Sequence, residues 1–162
     1  MEILPDANDL KIKIAQKYVD EIIKSASNGS TYLSVPKMLL KYINFYNLGY
    51  KIFKSNNYKH IVIYWGCFDK LKKTKLYKKA KLNKLNNYNK PQYMITVPCV
   101  ETIQKLMFNS FIKKIKKRSD NMISSIYVKE DAYYIYKKYC DFDSKKYNII
   151  IDKDYVTIRW DI

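Results

Sequence analysis

The sequence predicts an α+β fold: a tandem duplication of one helix–strand–helix–strand–strand module, with the two copies in a pseudo-twofold arrangement. Three observations predict it. The only two tryptophans, Trp65 and Trp160, close strands of the same pattern, "IVIYW" and "VTIRW". Sliding the chain on itself by 93 residues lays Pro5 on Pro98 and Asn28 on Asn121. The same shift lays Leu10, Ile14, Ala15, Tyr18, Val19 and Ile22 on Ile103, Met107, Phe108, Phe111, Ile112 and Ile115, at the three- and four-residue spacing of one helix face. The predicted units are a first α/β module at 1–65, a lysine-rich connecting segment at 66–92 and a second α/β module at 93–162.

Each element follows from its residues. The paired apolar faces predict helices over 9–27 and 101–118. Asn28-Gly29 stops the first, because glycine takes the left-handed conformation without steric cost. "TYLSV" (31–35) and "SSIYV" (124–128) predict equivalent strands. A second helix is predicted in each half. "PKMLLKYINFYN" starts with proline, whose missing N–H is harmless there, and "KEDAYYIYKKY" starts with acids, which favour a helix N-terminus. Each half then closes with a hairpin. "YKIFK" turns through "SNNY" into "IVIYW", and "YNIII" turns through "DKD" into "YVTIRW". A few extra residues before the second hairpin and a turn two residues shorter put the tryptophans 95 apart. Two helices on one face of a three-stranded sheet is the natural packing. Alternation turns Ile61, Ile63 and Trp65, with Val156, Ile158 and Trp160, toward the helices.

The opposite faces carry Tyr32, Val62 and Tyr64 in the first half and Tyr127, Tyr155, Thr157 and Arg159 in the second. Open to solvent, such tyrosines among lysines make a stacking platform for single-stranded nucleic acid. Sealed sheet to sheet, they lie buried between the halves. The sealed arrangement is the one expected, since a three-stranded sheet alone is marginal. Pairing about a pseudo-twofold axis should set Trp65 and Trp160 in equivalent positions beneath their own helices, with 66–92 outside as a strap. Neither half, at about 65 residues, should fold well alone.

Hydrophobic residues make up 48% of the 162, enough for a packed core, and the three glycines and four prolines argue against a turn-rich sandwich. The net charge of +16 (31 basic, 15 acidic) calls for an anionic partner: nucleic acid, an acidic protein surface or an anionic membrane. The joint abundance of Lys, Asn, Ile and Tyr also marks an AT-rich coding sequence, which accounts for part of the lysine and tyrosine excess. Half of the charge, +8, lies in 66–92. There Lys70, Lys72, Lys73, Lys75, Lys78, Lys79, Lys81 and Lys84 are candidate phosphate contacts in an exposed strap, and a solvated spacer is the alternative. Lys113, Lys114, Lys116, Lys117 and Arg118 form a second cluster at a helix end, where helix-dipole complementation is the alternative.

The residues Ala26, Gly29, Leu48, Gly49, Tyr50, Ile61, Ile63 and Trp65 resemble a small α/β module of tailed-phage proteins and of large DNA viruses of eukaryotes. That module runs from a helix ending in Ala and Gly, through a strand, a helix and Leu-x-x-Gly-Tyr-x-Val, to a strand close to Ile-x-Ile-Ser-Trp. The second half keeps the strand pattern and Trp160 but lacks the glycine pair, and 66–92 lies outside the likeness. The resemblance implies a viral origin and no assigned catalytic chemistry.

The chemistry-bearing residues are sparse. His60 is the only histidine, Cys67, Cys99 and Cys140 are far apart, and no Walker loop, dinucleotide loop or metal-binding helix motif is present. Asp20-Glu21 and Glu130-Asp131 read as solvated helix charges, and Asp152 and Asp154 as turn formers. No enzyme activity, cofactor, metal or membrane span is expected. Free thiols and the lack of a signal-like leader point to a reducing compartment: host cytoplasm or virus factory, or the virion itself, and not secretion. The expected function is that of a basic viral protein binding nucleic acid or another polyanion, mainly non-specifically through lysines. The alternative is a structural or adaptor virion protein that docks a virion or host protein.

Overall fold

The structure, a computed structural model, describes residues 1–45, 47–67, 83–84 and 95–161. Among them the architecture is α+β, with three α-helices and mostly antiparallel sheets. In chain order these are α1 (Ala7–Ser27), β1 (Tyr32–Pro36), a 3₁₀ turn (Lys37–Lys41), β2 (Ile43–Asn44), β3 (Lys51–Lys54), β4 (His60–Tyr64), β5 (Asn83–Lys84) and β6 (Ile95–Thr96). Then come α2 (Val100–Asp120), β7 (Ser125–Lys129), α3 (Glu130–Tyr136), β8 (Asn148–Asp152) and β9 (Tyr155–Arg159).

The hairpins form as the alternation predicts, and their registers correspond. In the first sheet, ordered β1-β4-β3-β5, Tyr32 pairs with Tyr64 and Val35 with Ile61. In the second, ordered β7-β9-β8, Ser125 pairs with Arg159 and Val128 with Val156. Trp65 N–H donates to Thr31 O (2.8 Å), and Trp160 N–H to Ser124 O (2.9 Å), so both tryptophans close their sheets in the same way. Trp65 is fully buried; Trp160 is half-buried against Tyr147.

Both long helices stop through a left-handed residue. At the first stop, Gly29 (φ +89°) donates to Ala26 O and Ser30 to Ser25 O. At the second, Met122 (φ +59°) and Ile123 make the same two bonds to Ser119 and Arg118. Each pair satisfies carbonyls that the helix end would leave bare.

The second helix predicted in the first half does not form. "PKMLLKYINFYN" gives only the 3₁₀ turn and β2, because Ile43 and Asn44 pair in parallel with Ile95 and Thr96 from far along the chain. In the second half α3 forms where predicted. Glu130 and Asp131 occupy its first turn, and Asp131 accepts from Ala132 N–H.

The expected sheet-to-sheet seal is also absent. α1 packs against α2, and the inward faces of both sheets join the helices in one core. Ala15, Val19, Ile22, Ile63 and Trp65 share it with Ile103, Met107, Phe111, Val156 and Ile158. The inward faces therefore meet through the helices, and among the described residues the tyrosines of the second sheet, Tyr127 and Tyr155, stay exposed. The helices contribute unequally. α1 buries Ala15, Val19, Ile22 and Ala26, whereas Leu10 and Ile14, expected in its buried face, are exposed. α2 instead buries Ile103, Gln104, Met107 and Phe111, near its start. An aromatic layer accompanies this: Phe111 of α2 stacks on Tyr136 of α3 (4.2 Å between centroids) and Phe108 on Tyr139 just after α3 (5.5 Å).

The Leu48-Gly49-Tyr50 motif joins the two halves. Leu48 O accepts from Val100 N–H (2.8 Å) at the start of α2, and the Tyr50 hydroxyl donates to Pro98 O. Gly49 sits at φ +88°, and a Cβ there would lie 3.1 Å from Val100 Cβ, so only glycine fits.

Candidate nucleic-acid interface

β7 and β9 alternate. Ile126, Val156 and Ile158 are buried in the core and Val128 packs against it, so the other residues of β7 and β9 face outward. The register arranges the outer face in three rows: Ser125–Arg159–Asn148, Tyr127–Thr157–Ile150 and Lys129–Tyr155–Asp152. Tyr127 is 69% exposed and Tyr155 54%. They are diagonal neighbours across adjacent strands, a spacing within mutual reach of aromatic rings. Lys129 and Arg159 flank them; Arg159 is hydrogen-bonded to Asp161, and Asp152 holds the acidic corner of the face.

A cleft of about 250 Å³ runs along β7 and brings this face to the end of α1 and the middle of α2. Its lining includes Asn28, Lys114, Tyr127, Lys129, Tyr136 and Tyr155. Burial pushes the Tyr136 phenol up to about 12, with Asp131 adding to the effect, so it stays neutral at physiological pH. Lys114, which lines the cleft, has its Nζ 3.4 Å from Ser27 O, and outside the cleft Arg118 Nη1 donates to Ser125 O at 3.3 Å. The predicted basic cluster on α2 is thus divided. Lys114 reaches the end of α1 and Arg118, one helical turn on, the start of β7, while among the described residues Lys113, Lys116 and Lys117 make no such contact; all but Arg118 are solvent-exposed.

Of the strap candidates, Lys70, Lys72, Lys73, Lys75, Lys78, Lys79 and Lys81 lie outside the described residues. Of Lys84 the structure describes the backbone, which extends the β3 edge by pairing with Phe53. Lys129, a site residue that charge runs alone did not single out, was detectable from strand alternation, which sets it on the tyrosine face.

The equivalent face of the first sheet is closed. Phe53, Val62 and Tyr64 form a small buried cluster with Tyr32 against it. The chain folds back over Tyr64 after Trp65: its hydroxyl donates to Cys67 O (3.1 Å) and lies over Gly66. Burial and nearby Asp131 and Cys67 raise the Tyr64 phenol far above its ordinary range, so it serves only as a neutral donor.

Comparison with family models, with curated proteins and with solved structures finds no match for this chain. The site therefore rests on its own geometry. Among the described residues no three His, Cys, Asp or Glu side chains converge as metal ligands, and no helix is long and apolar enough to cross a membrane. The three cysteines form no disulfide, and His60 is half-buried at the start of β4, opposite Pro36.

Proposed function

We propose that the chain is a non-enzymatic nucleic-acid-binding protein of viral origin whose recognition surface is the outer face of the second sheet. One observation carries this reading: two exposed tyrosines on one sheet face share a cleft with Lys114 and Lys129. Aromatic rings stack on any base, and lysines neutralise phosphates without defined geometry, so binding is sequence-tolerant and falls as salt rises. The connecting segment, with nine lysines and one acid, adds non-specific affinity. Retention of a single-stranded homopolymer on filters at low salt tests the reading; no retention contradicts it.

The fold itself we attribute to duplication. Equivalent registers, equivalent tryptophan bonds and equivalent helix stops support that origin. On this reading the unequal burial of α1 and α2 is divergence of the copies from strict twofold symmetry. The viral assignment draws on the resemblance of the first half, and with it the infected-cell cytoplasm, virus factory or virion as the place of action.

A second reading, an adaptor that docks a virion or host protein, is favoured by Ile3, Leu4, Leu10 and Ile14, all exposed at and before the start of α1. A specific partner that stays bound through nuclease digestion and high-salt washing would support it.

A further inference from the structure

The two sheets end differently. Beyond β3, the first sheet continues into β5. β8 occupies the corresponding place in the second sheet, and among the described residues no strand pairs with its outer edge. Among the described residues nothing pairs with the outward backbone groups of that edge, and Ile150 (45% exposed) and Ile151 (58% exposed) stand beside them. Exposed edges are ordinarily blunted by lysine, proline or a bulge. β8 has none of these: it reads Asn-Ile-Ile-Ile-Asp, without a lysine, in a chain with 31 basic residues.

We propose that β8 is a self-association edge, at which two copies of the chain pair β8 to β8, antiparallel, about a twofold axis through Ile150. The sequence of the strand is self-complementary in that register. Ile150 faces its own copy, Ile149 faces Ile151, and the Asn148 amide faces the Asp152 carboxylate as donor to acceptor. Just outside the strand, Lys146 of each copy lies toward the acidic end that carries Asp154 of the other. A protein with a net charge of +16 resists self-association, and β8 itself carries no cation and one carboxylate, which relieves that repulsion along the strand. The contact is isologous and closes at two copies. It also keeps both outer faces on the same side, so the row Tyr127–Thr157–Ile150 continues into Ile150–Thr157–Tyr127 of the second copy.

Sedimentation equilibrium tests this on full-length protein freed of nucleic acid by nuclease and a high-salt wash, then returned to physiological ionic strength. Wild type should show a monomer–dimer equilibrium with dimer populated at about 100 µM. Ile150→Lys and Ile150→Glu should each raise the dissociation constant at least about tenfold, with circular dichroism unchanged. An equimolar mixture should dimerise again, because the two substitutions face each other across the axis. A monomeric wild type at that concentration, a dimer that survives Ile150→Lys, open-ended assembly, or a mixture that stays monomeric would each overturn the proposal.

Discussion

Gln104, buried in α2, donates its side-chain amide to Trp65 O at 2.7 Å and accepts from Lys138 Nζ at 2.5 Å. A carbonyl needs a donor and an ammonium an acceptor, so these partners fix which way the amide points. Through this side chain the end of β4 is tied to α2 and to the residues just after α3. Gln104→Leu leaves the Trp65 carbonyl buried and unpaired. It should cost about 1–3 kcal/mol in urea unfolding. Because both halves share one core, tryptophan fluorescence and far-UV dichroism should still report a single coincident transition.

The two tryptophans should differ in energetic weight. Trp65 is fully enclosed, and its indole N–H donates to Ser30 O at 2.8 Å. Trp65→Ala should destabilise by about 3–5 kcal/mol, near the whole stability of a small domain. Trp160 packs edge-on to Tyr147 and remains partly open, so Trp160→Ala should cost clearly less. Denaturant titration of the two variants side by side measures the difference.

Met122 marks a place where the chain can be improved. It holds the left-handed conformation that Gly29 holds at the end of α1, and it is fully exposed. A left-handed L-residue costs roughly 1–2 kcal/mol, partly offset by the greater freedom that glycine has when unfolded. Met122→Gly should therefore raise stability by roughly 0.5–1 kcal/mol, and Gly29→Ala should lower it by a similar amount. Thermal melts in which both substitutions act in the same direction would contradict this account of the helix stops.

What the sequence could disclose depended on whether the cause was local. Strand alternation placed Ile61, Ile63, Val156 and Ile158 correctly because a period of two follows from the backbone itself. The fate of 36–47 was hidden, since Ile43–Asn44 became a strand only by meeting Ile95–Thr96. Alternation likewise set Tyr64 and Tyr155 on outer faces alike. It could not say that the chain after Trp65 folds over Tyr64 while nothing described covers Tyr155. Leu10 and Ile14 share the apolar period of α1, yet the helix carries them beyond the core.

Thiol reactivity should separate two cysteines. The Thr102 hydroxyl and N–H hold the Cys99 thiol below its ordinary pKa, whereas burial pushes Cys140 up. The thiolate is the nucleophile, so at neutral pH Cys99 should alkylate faster than Cys140. Timed iodoacetamide labelling read by peptide mass spectrometry gives the order. Thr102→Val should slow Cys99 while leaving Cys140 unchanged.

The central claim is that the exposed face of the second sheet holds nucleic acid by stacking on Tyr127 and Tyr155. The most direct measurement is the affinity of the Tyr127→Ala/Tyr155→Ala protein for a single-stranded dT oligonucleotide, set against wild type over a range of salt. Each stacked base is worth about 1–3 kcal/mol, so the double variant should bind at least about tenfold more weakly. Its salt dependence should match wild type, because every lysine remains. An affinity unchanged by removing both rings would contradict the account and leave lysine charge alone as the source of binding.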